Sequence, residues 1–353
     1  MKAKLLTALK VVISLGLMVY LFYRFLSNPA DRDVLLTTLS TANYGYLLLA
    51  LALFMLAVFT NAVKWYILLR AQGIPVPLGA LVNYTFVGFF FNNFLPANVG
   101  GDVMRGFGLA RYTARSAEAA VSVIVDRIIG LMAFMFTAMV AALLAVNLVP
   151  AEPVGGGGLA ANLVQVETVA VAGLVVITGG LVVMLSYRLR LLLGRIFGLK
   201  ILSPLAPLYQ RISEAFGAYR YRYGALLGAF AVGVVTVLLT GLVDLAIVAG
   251  LHGQIAPIYI FLLNPIIAVA LIAPISIGGL GTGSVLYVYF YGLVGVPEPL
   301  AFALSLVKQG VVYVGSLPGG VLWLRAREDS RGAGEQGGRG GVRIEDRRLR
   351  IED

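Results

Sequence analysis

Two charged residues follow a long uncharged stretch in the segment NNFLPANVGGDVMRG (92–106). No Asp, Glu, Lys or Arg occurs between Ala71 and Gly101, and Asp102 and Arg105 then follow a proline and a glycine pair. A helix starting after Gly101 would direct its free N–H groups and its positive dipole end at this turn, with Asp102 as its cap. This arrangement suits a phosphate or a carboxylate. A plain helix–turn–helix corner is the alternative.

A second charged pair, Asp126-Arg127, lies inside the apolar segment AAVSVIVDRIIGLMAFMF. Adjacent residues on a helix point about 100° apart, so the two side chains cannot both face one partner directly. We expect Arg127 to face a polar cavity and to help bind an anion, with Asp126 holding either Arg105 or Arg127. The alternative is an ion pair that only fixes helix packing.

Two further charged residues, Asp244 and Lys308, lie in apolar segments far apart in the chain. Either could be a counterion, and the two could pair with each other. Asp244 is also a candidate for coupling to protons, and a buried hydrogen-bonded carboxylate without such a role is the alternative.

Catalytic and metal-binding motifs are not found. The chain has no cysteine and a single histidine, His252, which excludes thiolate chemistry and argues against a histidine metal site. There is no phosphate-binding loop with its lysine, no dinucleotide fingerprint and no plausible Ser-His-Asp arrangement. We therefore expect no enzyme, no metal and no cofactor, and no feature indicates nucleic-acid binding.

The composition indicates what kind of protein positions these charges. Of the 353 residues, 59% are hydrophobic and 12% are charged, and the mean hydropathy is +0.91. A soluble domain usually has about 25% charged residues, and a helix that crosses a bilayer needs about 20 apolar residues. Several segments reach that length, and none shows the short alternating pattern of a β-barrel. The sequence therefore predicts an all-α polytopic membrane protein.

We predict about six full spans, near residues 5–26, 44–69, 117–149, 165–186, 224–250 and 300–324. Two further apolar segments, about 78–111 and 256–296, contain proline–glycine breaks, and each is predicted to be a hairpin or a pair of short helices. The transmembrane domain is expected to cover 1–325. The Gly-, Arg- and acid-rich segment 326–353 is expected to be a disordered cytoplasmic tail.

Basic and acidic residues alternate between the connections. One set of connections holds Lys2, Lys4, Lys10, Lys64, Arg70, Arg111, Arg115 and the seven Lys and Arg residues of 187–223; the other holds Asp31, Asp33, Glu152, Glu167 and Glu298. The positive-inside rule then predicts a multi-pass protein of the cell membrane with both termini in the cytoplasm. The basic connection 187–223 is expected to contact anionic lipid head groups. Trp65, Tyr66, Trp323 and the run AYRYRYG at 218–224 are expected to anchor the interfaces.

The two broken segments share a pattern, P-A-N-V-G-G in the first and P-I-S-I-G-G in the second, 178 residues apart. Because the charge rule orients them oppositely, we predict re-entrant hairpins that form an inverted repeat. Non-helical backbone at membrane depth is tolerated only against protein or a water-filled cavity, so both turns should line one cavity near mid-membrane. The residues of these turns assigned to substrate binding are Asn92, Asn93, Pro96, Gly100, Gly101, Pro274, Ser276, Gly278 and Gly279. The charged residues assigned with them are Asp102, Arg105, Asp126, Arg127, Asp244 and Lys308.

Three segments, FFFNNFLPANVGGDVMRGFGLAR (89–111), SVIVDRIIGL (122–131) and APISIGGLG (273–281), together resemble the lysylphosphatidylglycerol synthase transmembrane-domain family of flippase-like integral membrane proteins. The resemblance covers about 5–325. It implies that the break before Asp102 is a re-entrant element lining a lipid-translocation cavity, and that Asp126-Arg127 is the family's acidic-Arg pair.

Two departures from the family qualify this resemblance. Its second glycine turn commonly continues into an Arg-Glu pair, whereas this chain has Gly281-Thr282-Gly283-Ser284, with no charged residue at that place. Its best-known members carry a soluble aminoacyl-transferase domain after the membrane part. The chain therefore resembles the stand-alone flippase-like portion, which is not expected to lysinylate a lipid itself.

Three classes of function remain open from the sequence. The first is a transporter that moves a lipid with an anionic head group, a phospholipid or a polyprenyl-phosphate lipid, between leaflets. The second is a membrane-embedded lipid-modifying transferase. The third is a non-transporting accessory subunit of a cytoplasmic lipid or glycan enzyme. A homo-oligomer is compatible with each of them.

Overall fold

The computed structural model describes residues 2–93, 100–148, 216–273 and 275–337, together with positions 168, 171–176, 178, 179 and 186. The four longer ranges contain α1 (Lys2–Ser27), α2 (Pro29–Ser40), α3 (Tyr44–Ala71), α4 (Leu78–Asn92), α5 (Gly100–Thr113), α6 (Ser116–Leu148), α7 (Tyr223–Gly250), α8 (Pro257–Ala270), α9 (Thr282–Leu293) and α10 (Glu298–Gly337).

Five of the described helices are long and apolar enough to cross a membrane. The segments that meet this criterion are Leu9–Ser27, Tyr44–Ala71, Ser116–Ala145, Tyr223–Gly250 and Glu298–Arg327. They confirm five of the predicted spans, and the protein is an all-α multi-pass membrane protein. The sixth predicted span, 165–186, lies almost entirely outside the described residues.

The two broken segments form pairs of short helices, α4 with α5 and α8 with α9. A helix of fifteen residues such as α4 is only about 22 Å long, which is less than the roughly 30 Å of the hydrocarbon core. In the first pair, Gly88 of α4 packs against Gly101 of α5, and Tyr84 packs against Gly108. These contacts run in opposite directions along the chain, so the first pair folds back on itself as predicted.

The long helices α3 and α7 pack against each other and run antiparallel. Near the end of α3, Lys64 lies against Gly233. In the middle, Thr236 donates a hydrogen bond from its Oγ1 to Thr60 Oγ1 (2.9 Å). At the start of α3, the backbone N–H of Asn43 donates to the carbonyl oxygen of Gly250 (2.8 Å). As residue numbers fall along α3 they rise along α7.

Each first short helix packs against a long helix from the other half of the chain, α4 against α10 and α8 against α6. The α4–α10 contact is unusually close because it is made by glycine. A Cβ at Gly319 would overlap the backbone carbonyl oxygen of Phe86, and one at Gly320 would lie 2.7 Å from the Phe90 ring. This crossing ties the first broken segment to the final helix.

Two features differ from the sequence prediction. The connection after α1 contains α2, which starts with Asn28 as its cap and Pro29 in its first turn, and which buries Leu35. The last helix continues beyond Arg325 to Gly337, so the expectation of a disordered tail from 326 is wrong for residues 326–337. Arg, Ala and Glu in this stretch favour helix intrinsically, and they follow directly on an established helix. Residues 338–353 lie outside the described part.

Gly319→Ala should destabilise the protein, because the new methyl group meets the Phe86 backbone and the two helices have to move apart. Overpacking of this kind typically costs about 1–3 kcal/mol. The matched control is Gly310→Ala on the same helix, where a Cβ meets nothing within 4 Å. Thermal unfolding of the purified protein in detergent should show a lower midpoint for Gly319→Ala and an unchanged or higher one for Gly310→Ala. Equal midpoints for the two variants would contradict the close crossing.

Candidate functional site

Five charged residues of α3, α5 and α6 form one largely buried network, which we call the Arg105 cluster: Lys64, Asp102, Arg105, Asp126 and Arg127. Both terminal nitrogens of Arg105 donate to Asp126 Oδ2 at 3.2 Å. One of them also lies 3.4 Å from Asp102 Oδ1. Arg127 donates from Nε to Asp102 Oδ2. Each helix therefore supplies an arginine to the carboxylate of the other.

This crossed pairing explains how Asp126 and Arg127, which are adjacent on α6 and cannot face the same partner, are both ion-paired. Because Asp126 and Arg127 diverge around the α6 axis, they reach different residues of α5: Asp126 meets Arg105, and Arg127 meets Asp102. Of the two partners expected for Asp126, Arg105 or Arg127, the structure places Arg105 against its carboxylate. The expectation that Asp102 caps α5 is wrong, because the helix already begins at Gly100 and Asp102 lies in its first turn. Its negative charge near the positive end of the helix dipole remains favourable.

Lys64 also belongs to the cluster, although the sequence predicts it to lie in a cytoplasmic connection. Its Nζ lies 3.2 Å from Asp126 Oδ1, and it also donates to the Asp126 backbone carbonyl at 3.2 Å. The side chain is buried because α3 continues for two further turns, to Ala71. Three cations therefore share two carboxylates among the described residues.

Trp65 lies beneath the cluster and is fully buried, so the expectation that it anchors the interface is wrong. The Arg105 guanidinium lies over its ring, 4.3 Å from the centroid, and the indole Nε1 donates to Ser122 Oγ at 3.1 Å. A cation over an indole face is stabilised by the ring quadrupole, most strongly where water is excluded. Trp65 thus holds the arginine in a fixed plane.

The exposures of the two arginines differ. Arg105 is 5% exposed and its Nε has no hydrogen-bond partner, whereas the Arg127 side chain is 44% exposed. Gly88 makes room for Arg105, since a Cβ there would lie 2.8 Å from Arg105 Cγ. Arg105 is therefore enclosed between α4 and α6, whereas Arg127 lies at the surface of the same network.

The asparagines before the first turn shape the backbone. Asn92 Oδ1 accepts a hydrogen bond from the Gly101 N–H at 2.7 Å, and a Cβ at Gly101 would overlap the Gly88 carbonyl oxygen. Asn93 is buried and donates from Nδ2 to Ser316 Oγ at 2.7 Å. These contacts hold the ends of α4 and α5 together and attach them to α10.

The second turn lies against the first. Gly278 and Gly279 have φ of 57° and 74°, a left-handed conformation that glycine adopts without strain. A Cβ at Gly278 would lie 2.8 Å from the Asn93 carbonyl oxygen. Ser276 is buried. The two glycine-containing turns therefore meet at Asn93, while Pro96 and Pro274 lie outside the described residues, and the shared cavity stays a prediction.

Asp244 and Lys308 do pair, within a second network that we call the Lys308 cluster: Asp244, Asn264, Tyr287 and Lys308. Lys308 Nζ donates to Asp244 Oδ2 and Asn264 Oδ1, both at 2.8 Å, and to Tyr287 Oη at 2.6 Å. Tyr287 donates its hydroxyl proton to Asp244 Oδ2 at 3.0 Å. Asp244 is fully buried and the Lys308 side chain is 21% exposed.

The two clusters occupy corresponding places in the order of helices. In α3–α6 and again in α7–α10, a long helix is followed by two short helices and a second long helix. Asp126 and Lys308 are each the eleventh residue of the final helix of their set. Arg105 and Tyr287 are each the sixth residue of the second short helix.

An ion pair therefore joins the first and last helices of each set, with the charges exchanged. In the first set the lysine is on the first helix (Lys64 with Asp126), and in the second set it is on the last helix (Asp244 with Lys308). Lys64 lies against Gly233, and Asp244 is about 16 Å further along α7 at 1.5 Å per residue. Because α3 and α7 are antiparallel, the clusters lie towards opposite ends of the bundle.

A groove of about 530 Å³ lies where α3 ends and α7 begins, lined by Tyr66, Arg70, Tyr221 and Arg222, among others. Tyr221 is exposed, as expected for the run 218–224, but Tyr219 is fully buried, which the sequence analysis did not foresee. Burial raises the pKa of the Tyr219 hydroxyl well above its usual range, and the charge of Asp126 raises it further. The phenol therefore stays neutral beside the cluster.

In the described ranges no group of three or more His, Asp or Glu side chains could hold a metal ion.

Asp126→Asn should destabilise the fold, because Lys64 and Arg105 would lose the carboxylate that they share. Removing one partner of a buried ion pair typically costs about 3–5 kcal/mol. The control is Glu118→Gln, a change of the same chemistry on the same helix, eight residues earlier and outside the cluster. Thermal unfolding in detergent should separate the two variants, and a wild-type midpoint for Asp126→Asn would show that the ion pairs add no stability.

Comparison with known proteins agrees with the resemblance in the sequence. A search of curated proteins found no match. The family model described as the lysylphosphatidylglycerol synthase TM region matches residues 7–319, a range that contains both clusters and both glycine-containing turns. With most of its length matched, the chain belongs to the lysylphosphatidylglycerol synthase transmembrane-region family.

Proposed function

We propose that this protein is a flippase that moves a lipid with an anionic, phosphate-containing head group between the leaflets of the membrane. The observation that carries the proposal is the Arg105 cluster, in which three cations share two carboxylates beside a break in the helices. Membership of a family named for a lipid synthase supports a role in lipid handling. Phospholipids and polyprenyl-phosphate lipids both offer the required phosphate.

The chemistry of the cluster suits a phosphate. An arginine keeps its charge when desolvated, and its planar fork matches two phosphate oxygens. Arg127, with 44% of its side chain exposed, is the arm that first meets the head group. Arg105 donates its remaining N–H, and the N-terminal turn of α5 adds a favourable dipole. Asp102 and Asp126 keep the cations paired when no lipid is bound, which avoids the cost of unpaired buried charge.

The arrangement of helices supports transport. The sets α3–α6 and α7–α10 have the same order of long and short helices, antiparallel first helices, and ion pairs at corresponding positions. We propose that they form an inverted-topology repeat, the architecture in which broken helices meet near mid-membrane around a substrate site. The contact between Gly278 and Asn93 supports this proposal, because it joins the end of α4 to the glycine turn before α9.

No catalytic step is part of this proposal. Asp102 and Asp126 are the carboxylates of the Arg105 cluster, and each of them is ion-paired with a lysine or an arginine. A carboxylate so engaged is a poor general base, because the neighbouring cation stabilises its charged form.

For the orientation, we propose a cell-membrane location with both termini in the cytoplasm. The ends of α3, α5 and α10 and the starts of α6 and α7 then face the cytoplasm. The groove lined by Arg70 and Arg222 lies at the level of the cytoplasmic head groups, where basic residues attract anionic lipid.

Orientation can be tested with single cysteines, because the natural chain has none. Ser40 at the end of α2 and Ser116 at the start of α6 are both exposed. In intact cells an impermeant thiol reagent should label Ser40→Cys and leave Ser116→Cys unlabelled until the cells are opened. The reverse pattern would show that the orientation is inverted.

Lipid movement can be tested with the purified chain in vesicles that contain fluorescent phosphatidylglycerol or phosphatidylcholine. Wild-type protein should move the anionic lipid faster than the zwitterionic one. Arg105→Gln should slow this movement by at least about tenfold, equivalent to about 1.4 kcal/mol of lost binding in the rate-limiting state. Arg105→Lys should restore part of the rate, since a point charge replaces the planar fork.

The control for this experiment is Arg111→Gln, which removes an exposed arginine from the other end of the same helix. It should leave the rate unchanged. If folded Arg105→Gln moves the labelled lipid at the wild-type rate, the cluster is a packing element and the assignment of the anion site is wrong.

A further inference from the structure

The Lys308 cluster differs from the Arg105 cluster in one respect that changes its chemistry. Where Arg105 donates to Asp126, the corresponding Tyr287 donates to Asp244. Asp126 is held by two cations, Lys64 and Arg105, whereas Lys308 is the cation paired with Asp244. The second carboxylate therefore has a neutral phenol where the first has a permanent positive charge.

Only one of the two oxygens of the Asp244 carboxylate accepts hydrogen bonds. Its Oδ2 accepts from both Lys308 and Tyr287, while its Oδ1 is buried and has no hydrogen-bond partner. Two neighbouring polar atoms, Asn264 Nδ2 and the Tyr291 hydroxyl, are likewise buried without partners. Unpaired polar atoms inside an apolar bundle are costly, and Oδ1 is the atom of this cluster that is open to a proton.

The charge balance identifies that partner. The Asp244–Lys308 pair is neutral, and a lipid phosphate that joined it would bring an uncompensated negative charge into the membrane. If Asp244 binds a proton, Lys308 is left as a cation and the phosphate restores neutrality. An arginine at position 287 would oppose this step, because its permanent charge would keep the carboxylate ionised.

The groups around Asp244 are compatible with this exchange. Lys308 of α10, Tyr287 and Tyr291 of α9 and the neutral Asn264 of α8 surround it. The charged residues of α3 and α6, which also pack against α7, lie towards the other end of the bundle: Lys64, Asp126 and Arg127 in the Arg105 cluster, with Arg70 at the end of α3 and Glu118 at the start of α6. Lys308 is partly exposed while Asp244 is sealed, so the flexible lysine is the member of the pair that an incoming head group can reach.

We propose that Asp244 is a proton-binding site and that its protonation frees Lys308 to bind the lipid phosphate, so that one proton crosses the membrane with each anionic lipid. No bond to the lipid forms or breaks; the proton moves from water to Asp244 Oδ1 and returns to water on the other side. This inference rests on the proposed function, and it adds the source of energy for transport.

The test uses vesicles with purified wild-type protein, fluorescent phosphatidylglycerol and an imposed pH difference, read as the final distribution of the lipid between leaflets. Coupling to one proton should enrich the lipid about tenfold, for each pH unit, in the leaflet facing the alkaline side. Vesicles without protein correct for passive redistribution. Glu298→Gln, which removes an exposed carboxylate from α10, should behave as wild type.

Asp244→Asn should abolish the pH-driven enrichment. Because this variant leaves Lys308 without its carboxylate and could fail to fold, the double variant Asp244→Asn, Lys308→Gln provides a neutral cluster of similar shape, and it too should show no enrichment. Enrichment that persists in either folded variant would overturn the inference.

The outcomes for wild-type protein separate the two proposals. Movement of phosphatidylglycerol with an equal final distribution under a pH difference would overturn the proton site and leave the flippase function standing. No movement of phosphatidylglycerol in any condition would overturn both.

Discussion

The cost of a charge in an apolar bundle is the constraint on which the rest of this structure depends. Each intramembrane cation, Lys64, Arg105, Arg127 and Lys308, is held by a carboxylate from a different helix, so the need to pair charges also fixes which helices meet. Asp126 is shared by Lys64 and Arg105, so that one carboxylate connects α3, α5 and α6. The same requirement makes an anionic head group an acceptable substitute partner, which connects the stability of the fold to its proposed function.

Glycine allows these pairs to form. Gly88 and Gly101 let α4 and α5 approach until Arg105 lies under the turn, and Gly278 lets the second turn touch Asn93. Without these close approaches the short helices would stand apart and the carboxylates of α6 would be out of reach of α5. Packing between small residues replaces the hydrophobic driving force that lipid surroundings do not supply.

Hydropathy predicted the long helices well, since length and apolar content are local properties of the chain. The sequence limited the partners of Asp126 to Arg105 or Arg127 and offered Lys308 as one partner of Asp244, because so few charges were available to compensate one another; the packing of the helices decided between the options. Lys64, Trp65 and Tyr219 were misplaced, because a residue near a predicted span end can turn either to lipid or to protein, and only the neighbouring helices decide. The helix α2 was missed since its twelve residues are weakly apolar and depend on packing against α10.

The crossing of α4 and α10 has a consequence for biogenesis. The short helix α4 is inserted early, but the surface that receives it belongs to the last helix to leave the ribosome. The partner of α8, in contrast, is α6, which has already been made. The α4–α5 pair therefore stays incompletely packed until translation has passed Gly320, whereas α8 can dock on α6 at once and only α9 still waits for α10. A chain interrupted between α6 and α10 would keep the residues of the Lys64–Asp126 pair and lack the helix against which α4 packs.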